Sequence, residues 1–280
     1  MKRLIINADD FGINTARTHG IFIGFEQGIV RNASLVVNQS SSAAAAKHAR
    51  ERGLPTGLHL NFTEDFPLSK PEHVSTLLSP SGMFRDRHEL RRLMDDGTVE
   101  REHVEREARA QIEWFLDNHG QPTHLDSHHH IHIHPVVIHA LIPILDRYAI
   151  SAVRIPYEPL PPVGWNITEE QLVKSQAISD MAAAARPIYS ANGIRSTDHF
   201  RGLAMSGNAS KKVLRHILSR LPEGTTELMT HPGSPASYGT PFDLNPQRQT
   251  ELNMLIDDTM PEQLKGYGIE LCSYQDFTSY

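Results

Sequence analysis

Short apolar runs alternate along the chain with longer stretches in which apolar residues recur at helical spacing. The short runs are typical of buried strands and the longer stretches of amphipathic helices. The predicted strands are Leu4–Asn7, Ser34–Asn38, Gly57–Leu60, Thr123–Ser127, Ala152–Ile155, Glu227–Thr230 and Glu270–Ser273. The predicted helices are Ala16–Gln27, Ser42–Glu51, His103–Asn118, Val136–Tyr148, Glu169–Arg186, Lys211–Arg220 and Arg248–Ile256.

This alternation of strands and helices indicates parallel βα units. Seven strands favour an α/β barrel, complete or incomplete, and the main alternative is an open doubly wound sheet. The chain contains no repeat, low-complexity tract or linker. We therefore expect a single domain over residues 1–280.

Two stretches interrupt the alternation. Phe62–Thr98 follows the third predicted strand and contains three prolines, and Tyr157–Ile167 is also rich in proline and glycine. Long loops inside compact domains are usually functional. We expect residues 62–98 to form a lid-like insertion at the mouth of an active site, where it would shape the substrate site and exclude water.

Composition removes several classes of protein. The net charge of −6 argues against a nucleic-acid-binding domain, and a single cysteine, Cys272, excludes an intramolecular disulfide. No apolar run is long enough for a membrane helix, and the first residues are typical of a strand rather than a signal peptide. We therefore expect a cytoplasmic protein without a membrane span. The sequence leaves open whether it forms a homo-oligomer, as compact barrels often do.

Two adjacent acids, Asp9 and Asp10, follow the first predicted strand within Asn-Ala-Asp-Asp-Phe-Gly. Successive side chains of a strand point to opposite faces, so one acid could bind a metal while its neighbour acts as a base. The alternative is a turn or a helix-capping pair.

Two histidines lie in or at the end of other predicted strands. His59 is part of Gly-Leu-His-Leu-Asn, and His231 begins the sharp turn of Thr-His-Pro-Gly. Either could be a metal ligand or a catalytic group. For each, the alternative is a buried, hydrogen-bonded histidine with a purely structural role.

Histidine is concentrated in one segment. Of 17 histidines, six lie between His124 and His134, interleaved with Asp126 and isoleucines. Pro135 favours the first position of the next helix, and it disfavours helical geometry at the residue before it. We expect an extended segment in which alternate residues from Asp126 to His134 share a face, with Asp126 orienting one of these histidines. The alternative is a surface tract that resembles a histidine tag.

Asp and His side chains at the ends of separate strands suit a catalytic divalent metal, because α/β barrels place their active sites there. Three protein ligands and one open position are typical of catalytic Zn²⁺. Mixed nitrogen and oxygen donors also admit Mg²⁺, Mn²⁺, Co²⁺ or Ni²⁺. Asp9 or a spare histidine would be the base and His231 the acid in the hydrolysis of an amide or ester.

Four motifs, Asn-Ala-Asp-Asp-Phe-Gly, Gly-Leu-His-Leu, His-Leu-Asp-Ser-His-His-His-Ile-His and Thr-His-Pro-Gly, occur in an order that resembles the YdjC-like carbohydrate deacetylases. The resemblance extends over about residues 3–275. It implies a distorted (β/α) barrel and the removal of an acetyl group from a small N-acetylated carbohydrate.

The resemblance also implies particular roles. The metal ligands would be Asp10, His59 and His128. The catalytic residues would be Asp9 as base, His231 as acid and Arg154, which would hold Asp9 ionised. The alternatives are another metallohydrolase on the same scaffold, such as a phosphoesterase, and a non-catalytic metal-binding protein, in which Asp9 and His231 would be dispensable.

Overall fold

A curled parallel sheet forms the centre of the protein. The computed structural model describes residues 1–159 and 167–278. Within them the strands are β1 (Lys2–Phe11), β2 (Asn32–Leu35), β3 (Thr56–Leu60), β4 (Leu125–Ser127), β5 (His199–Arg201), β6 (Gly224–Thr230) and β7 (Ile269–Leu271). Their order is β4-β3-β2-β1-β6-β5, with β7 paired to the beginning of β1.

The described sheet curls into a distorted barrel, so the open doubly wound alternative is wrong. Isolated parallel bridges link Leu125 to Val153 and Ala152 to Arg195, and the latter residue leads into β5. The predicted strand Ala152–Ile155 forms only these bridges, whereas β5 was not predicted. Single bridges rather than a regular strand therefore continue the curled sheet beyond β4.

Helices cover the outside of the sheet. They are α1 (Thr15–Gln27), α2 (Ser42–Arg52), α3 (Arg87–Asp95), α4 (Arg101–Asn118), α5 (Pro135–Arg147), α6 (Glu169–Ala191), α7 (Lys211–Ser219), α8 (Gln247–Leu255), α9 (Met260–Gly266) and α10 (Tyr274–Thr278). The seven predicted helices are confirmed within two residues at each end, except that α6 continues to Ala191. None of the described helices is long and apolar enough to cross a membrane.

Successive side chains of β1 point in opposite directions, into the main apolar core or into the inside of the barrel. Leu4, Ile6 and Ala8 pack in the main apolar core. Asn7 and Asp9 instead face the inside of the barrel, where the Asn7 amide donates hydrogen bonds to Asp9 Oδ1 and to the hydroxyl of Ser34 on β2. The barrel interior is therefore polar, and buried polar groups require partners there.

Candidate metal and catalytic site

The sequence-predicted site residues meet at the carboxyl ends of the strands. Asp9 and Asp10 lie at the end of β1, His59 in β3, His128 directly after β4 and His231 directly after β6. All five line one cavity of about 570 Å³. Parallel strands bring their ends to the same edge, which explains why residues so far apart in the chain converge.

Asp10 is at the centre of this cluster. Its Oδ1 atom lies 3.0 Å from Nδ1 of His128 and 3.4 Å from Nε2 of His59. Its Oδ2 atom accepts a 2.7 Å hydrogen bond from Arg17 on α1. Asp10 has a left-handed backbone with φ of 62° at the end of the strand. Arg17 occupies one carboxylate oxygen and leaves the other facing the two histidines.

The same three side chains fit a metal ion. One donor atom from each of Asp10, His59 and His128 lies within 4.8 Å of the other two, and all three side chains are buried. The ring of His59 is fixed from behind, because its Nδ1 atom lies 2.7 Å from Oδ1 of Asp126. Metal-binding histidines usually have such a carboxylate partner.

The pKa shifts of Asp10, His59 and His128 are also consistent with a metal site. Burial alone would raise the pKa of Asp10, but His128, His59 and Arg17 hold it well below its usual range. Burial opposes charge on both imidazoles, yet neighbouring carboxylates raise the pKa of His59 to about 10 and that of His128 to about 9. Buried carboxylates thus dominate the site, and a divalent cation could replace the two imidazolium protons.

Arg154 holds Asp9 in a buried network. Its guanidinium donates two hydrogen bonds to Asp9, of 2.5 and 2.6 Å, and also lies 2.8 Å from Asp126 and 2.7 Å from Glu227. Burial raises the pKa of Asp9, and the Arg154 charge opposes that rise. Asp9 is therefore a fixed carboxylate whose proton affinity exceeds that of an ordinary aspartate.

His231 lies beside Asp10 but outside the cluster of donor atoms. Its backbone N–H donates to Glu251, the ring of Phe242 packs edge-on against it, and its Nδ1 atom has no hydrogen-bond partner among the described residues. Burial, reinforced by Arg248 and Arg17, lowers its pKa well below the usual value. In the free protein His231 is thus a neutral imidazole.

A close backbone approach explains the glycine of Thr-His-Pro-Gly. A Cβ atom built on Gly20 of α1 would lie 2.5 Å from Cα of Gly233. The helix and the turn therefore touch at two glycines. This contact brings Arg17, one helical turn before Gly20, next to the site.

The predicted extended histidine segment is wrong beyond Ser127. A 3₁₀ segment spans His128–Ile133, in which His129 and His130 have left-handed backbones. Pro135 does occupy the first position of α5, as expected. Nε2 of His132 donates to the Arg154 carbonyl and its Nδ1 atom lies 2.7 Å from the Ser127 hydroxyl, while His134 contacts Asp95. These two histidines support the local structure rather than a shared ligand face.

The role expected of Asp126, to orient a histidine of the segment His124–His134, stays a prediction. Its shortest histidine contact is with His59 on the neighbouring strand, because β3 and β4 pair with His59 opposite Asp126. A second histidine, His124, lies 3.7 Å from Asp126 and stacks on Tyr274. Gly57 of Gly-Leu-His-Leu leaves room for that ring, since a Cβ there would lie 2.2 Å from it.

Several site residues were missed by the sequence analysis. They are Glu64, Arg17, Glu227, Asp243 and Tyr274, and each acts through a partner that is distant in the chain. Tyr274, for example, donates a 2.6 Å hydrogen bond to Glu227, which in turn holds Arg154. Only the position of Arg17, on the helix after Asp9 and Asp10, offered a local signal.

The insertion contributes to the wall of the cavity. Glu64 comes from its first turn, and Arg87 and Arg91 come from α3. The lid function of residues 62–98 stays a prediction. For the second proline-rich stretch, Tyr157–Ile167, residues 160–166 lie outside the described part of the chain.

A parallel α/β barrel with buried carboxylate and imidazole donors at its carboxyl edge defines the general class of this protein. A family model described as YdjC-like protein matches residues 3–266. The chain belongs to the YdjC-like family, as its motifs indicated.

Relatives and a solved structure agree with this assignment. The chain is 34% identical over 298 residues to a human carbohydrate deacetylase, covering 99% of this chain and 91% of that protein. It is 30% identical to a carbohydrate deacetylase from Geobacillus stearothermophilus, covering 98% and 97%. Its fold is similar to that of an Enterococcus faecalis V583 protein described as a cellobiose-phosphate cleavage protein, with a TM-score of 0.79, 22% identity and coverage of 99% and 98%.

Proposed function

We propose that this protein is a metal-dependent deacetylase that removes the acetyl group from an N-acetylated amino sugar. The observation that carries the proposal is the convergence of Asp10, His59 and His128 beside the Asp9–Arg154 pair. The names of the curated relatives support a carbohydrate substrate. The cavity of about 570 Å³ is within the usual range for a small-molecule site.

Asp10, His59 and His128 would hold one divalent ion. When bound, such an ion polarises the acetyl carbonyl and lowers the pKa of a water molecule. The donor set of one carboxylate and two imidazoles suits Zn²⁺ or Mg²⁺, and Mn²⁺, Co²⁺ and Ni²⁺ share these preferences closely enough to compete.

Asp9 is the proposed general base. It lies next to Asp10 in the chain, and Arg154 fixes both of its oxygens. Burial raises its pKa, which strengthens it as a proton acceptor. Asp9 would take the proton of the attacking water while Arg154 keeps the carboxylate oriented.

His231 is the proposed general acid for the departing amine. It lines the same cavity and its Nδ1 atom has no partner among the described side chains. The neutral imidazole of the free protein must first take a proton from solvent, and Asp9 later returns to solvent the proton it took from the attacking water. Negative charge that develops on the substrate beside His231 would raise the pKa of the imidazole and make its protonation favourable.

One part of the cavity wall is basic. Arg87 and Arg91 of α3 and Lys174 of α6 line it, and none of them forms an ion pair with the described residues. Arg87 and Arg91 are four residues apart on one helix, where like charges repel. After burial, these two arginines are the largest cause of a lowered pKa at Lys174. We therefore propose that the sugar carries an anionic substituent. A phosphoesterase is the alternative that this wall would also support.

The roles can be tested on four variants and one control. With N-acetylated chitobiose and its phosphorylated form, we expect acetate release that a chelator abolishes and that is faster for the phosphorylated sugar. Asp9→Asn and His231→Ala should lose about 10²–10⁴-fold in turnover and keep their metal. His59→Ala and His128→Ala should lose the metal itself. His139→Ala, on the exposed side of α5, is the matched control.

Two results would overturn these roles: metal loss in Asp9→Asn, or near-normal turnover in His231→Ala. Release of phosphate rather than acetate from phosphorylated sugars would favour the phosphoesterase alternative.

A further inference from the structure

The turn that follows β3 is built by one side chain, Asn61. Its Oδ1 atom accepts hydrogen bonds from the backbone N–H groups of Thr63 and Glu64, at 3.0 and 3.1 Å. Its amide donates to the Glu64 carbonyl at 2.8 Å and to Asn38. Asn61 is fully buried, and its own backbone N–H donates to Gln111. This local network fixes the course of the chain from His59 to Glu64.

The turn brings two side chains to the histidines after β4. The carboxylate of Glu64 lies 3.3 Å from Nε2 of His128. The hydroxyl of Thr63 lies 2.9 Å from Nδ1 of His129. The first turn of the insertion therefore contacts the segment that carries a proposed metal ligand.

The Nδ1 atom of His128 faces Asp10, another of the proposed metal ligands. Its Nδ1 atom lies 3.0 Å from Oδ1 of Asp10. Its buried Nε2 atom has no well-aligned hydrogen bond among the described residues. An imidazole that gives its Nδ1 lone pair to a metal carries its proton on Nε2, and a buried N–H without an acceptor is costly. Glu64 is positioned to accept a hydrogen bond from that N–H, because its carboxylate lies 3.3 Å from Nε2 of His128.

His59 provides an internal comparison. Asp126 lies 2.7 Å from its Nδ1 atom, so its Nε2 atom is left for Asp10 and the metal. Each proposed histidine ligand would then have one carboxylate partner, from the barrel for His59 and from the insertion for His128. Such partners fix the tautomer and orientation of the ring.

We propose that Glu64 is a positioning residue that holds His128 in the tautomer with Nε2–H, and that the insertion thereby contributes to metal affinity. The proposal rests on the metal site of the proposed function. Glu64 acts through His128 and need not touch the substrate.

The test measures binding of Zn²⁺ alone by calorimetry with competing chelators. Glu64→Ala should weaken binding about 10–100-fold. Glu64→Gln should weaken it less, because the amide oxygen can still accept the Nε2–H bond. Asp65→Asn removes the same charge at the next position, where the Asp65 carboxylate accepts a hydrogen bond from the Phe66 N–H, and should bind Zn²⁺ like the wild type.

Nitrogen NMR of the histidine rings supplies a readout that a purely structural role would not change. In the Zn²⁺-loaded wild type, His128 should carry its proton on Nε2 in slow exchange with water, and Glu64→Ala should accelerate that exchange. Unchanged Zn²⁺ affinity in Glu64→Ala, or an equal loss in Asp65→Asn, would overturn this inference alone. Absence of Zn²⁺ binding by the wild type would overturn it together with the zinc form of the proposed site.

Discussion

Replacement of Arg154 by methionine tests the buried network most directly. The guanidinium is fully buried and bound to three carboxylates, those of Asp9, Asp126 and Glu227. Methionine would fill most of the volume but leave these carboxylates without their cation. Because their Coulomb attraction and hydrogen bonds to Arg154 are lost together, the folded state must protonate them or tolerate uncompensated charge.

The loss of stability follows from that geometry. Removing one partner of a buried ion pair typically destabilises a protein by about 3–5 kcal/mol, and three partners are affected here. For a chain of this length such a loss corresponds to a fall in Tm of roughly 5–9 °C. Arg186→Met is the matched control, since among the described residues that half-buried arginine bonds to Ser196 and the Thr197 carbonyl alone. It should cost about 1 kcal/mol.

The effect should depend on pH with a defined sign. Without Arg154, the folded-state pKa values of Asp9 and Asp126 rise above their unfolded values near 4, so the penalty grows as pH rises through that range. In the wild type, the Arg154 charge holds the pKa of Asp126 well below its usual range despite burial. Urea unfolding at pH 7 and pH 4.5 should therefore show a smaller difference at the lower pH. A loss no larger than in Arg186→Met, or one independent of pH, would refute the reasoning.

Two further predictions concern the cavity. Since the metal-free pKa values are about 10 for His59 and about 9 for His128, both imidazoles should lose a proton when a metal binds. The apparent association constant for Mn²⁺ should therefore rise roughly 100-fold per pH unit between about pH 6.5 and 8.5. An association constant that does not change with pH would contradict the assigned ligands. Lys174→Gln should weaken inhibition by a sugar phosphate about tenfold or more, whereas Lys212→Gln at an exposed position of α7 should not. Equal inhibition constants for the two variants would show that the basic residues lie outside the substrate site.

The convergence of the site was predictable because it depends on regular features. Asp9, Asp10 and His231 lie directly at the ends of strands that apolar patterning reveals. Once the strands are parallel, those ends must meet at one edge. The identity of the side chains and the topology are therefore sufficient to bring them together, without knowledge of loop structure.

The histidine segment was not predictable for the opposite reason. His129 and His130 both have positive φ angles, which residues other than glycine rarely adopt. Nothing in the local sequence specifies them, and the segment's contacts come from distant parts of the chain: Thr63 contacts the His129 ring, and the Tyr189 hydroxyl donates to the carbonyl of His132. Strand β5 was also not predictable, because its three residues are too few to form an alternating pattern of apolar and polar side chains.

The barrel interior places stability and function in conflict. Asp9, Asp126, Glu227 and Arg154 would be replaced by apolar side chains in a barrel selected for stability alone, since a well-packed apolar group is often neutral or better than a buried ion pair. Their retention is explained if Asp9 must remain a fixed base and Asp126 must orient His59. Tyr274 extends this network to the last described helix, where its hydroxyl holds Glu227 and its ring stacks on His124. The orientation of the proposed base therefore depends on packing at the opposite end of the barrel, far along the chain from the site.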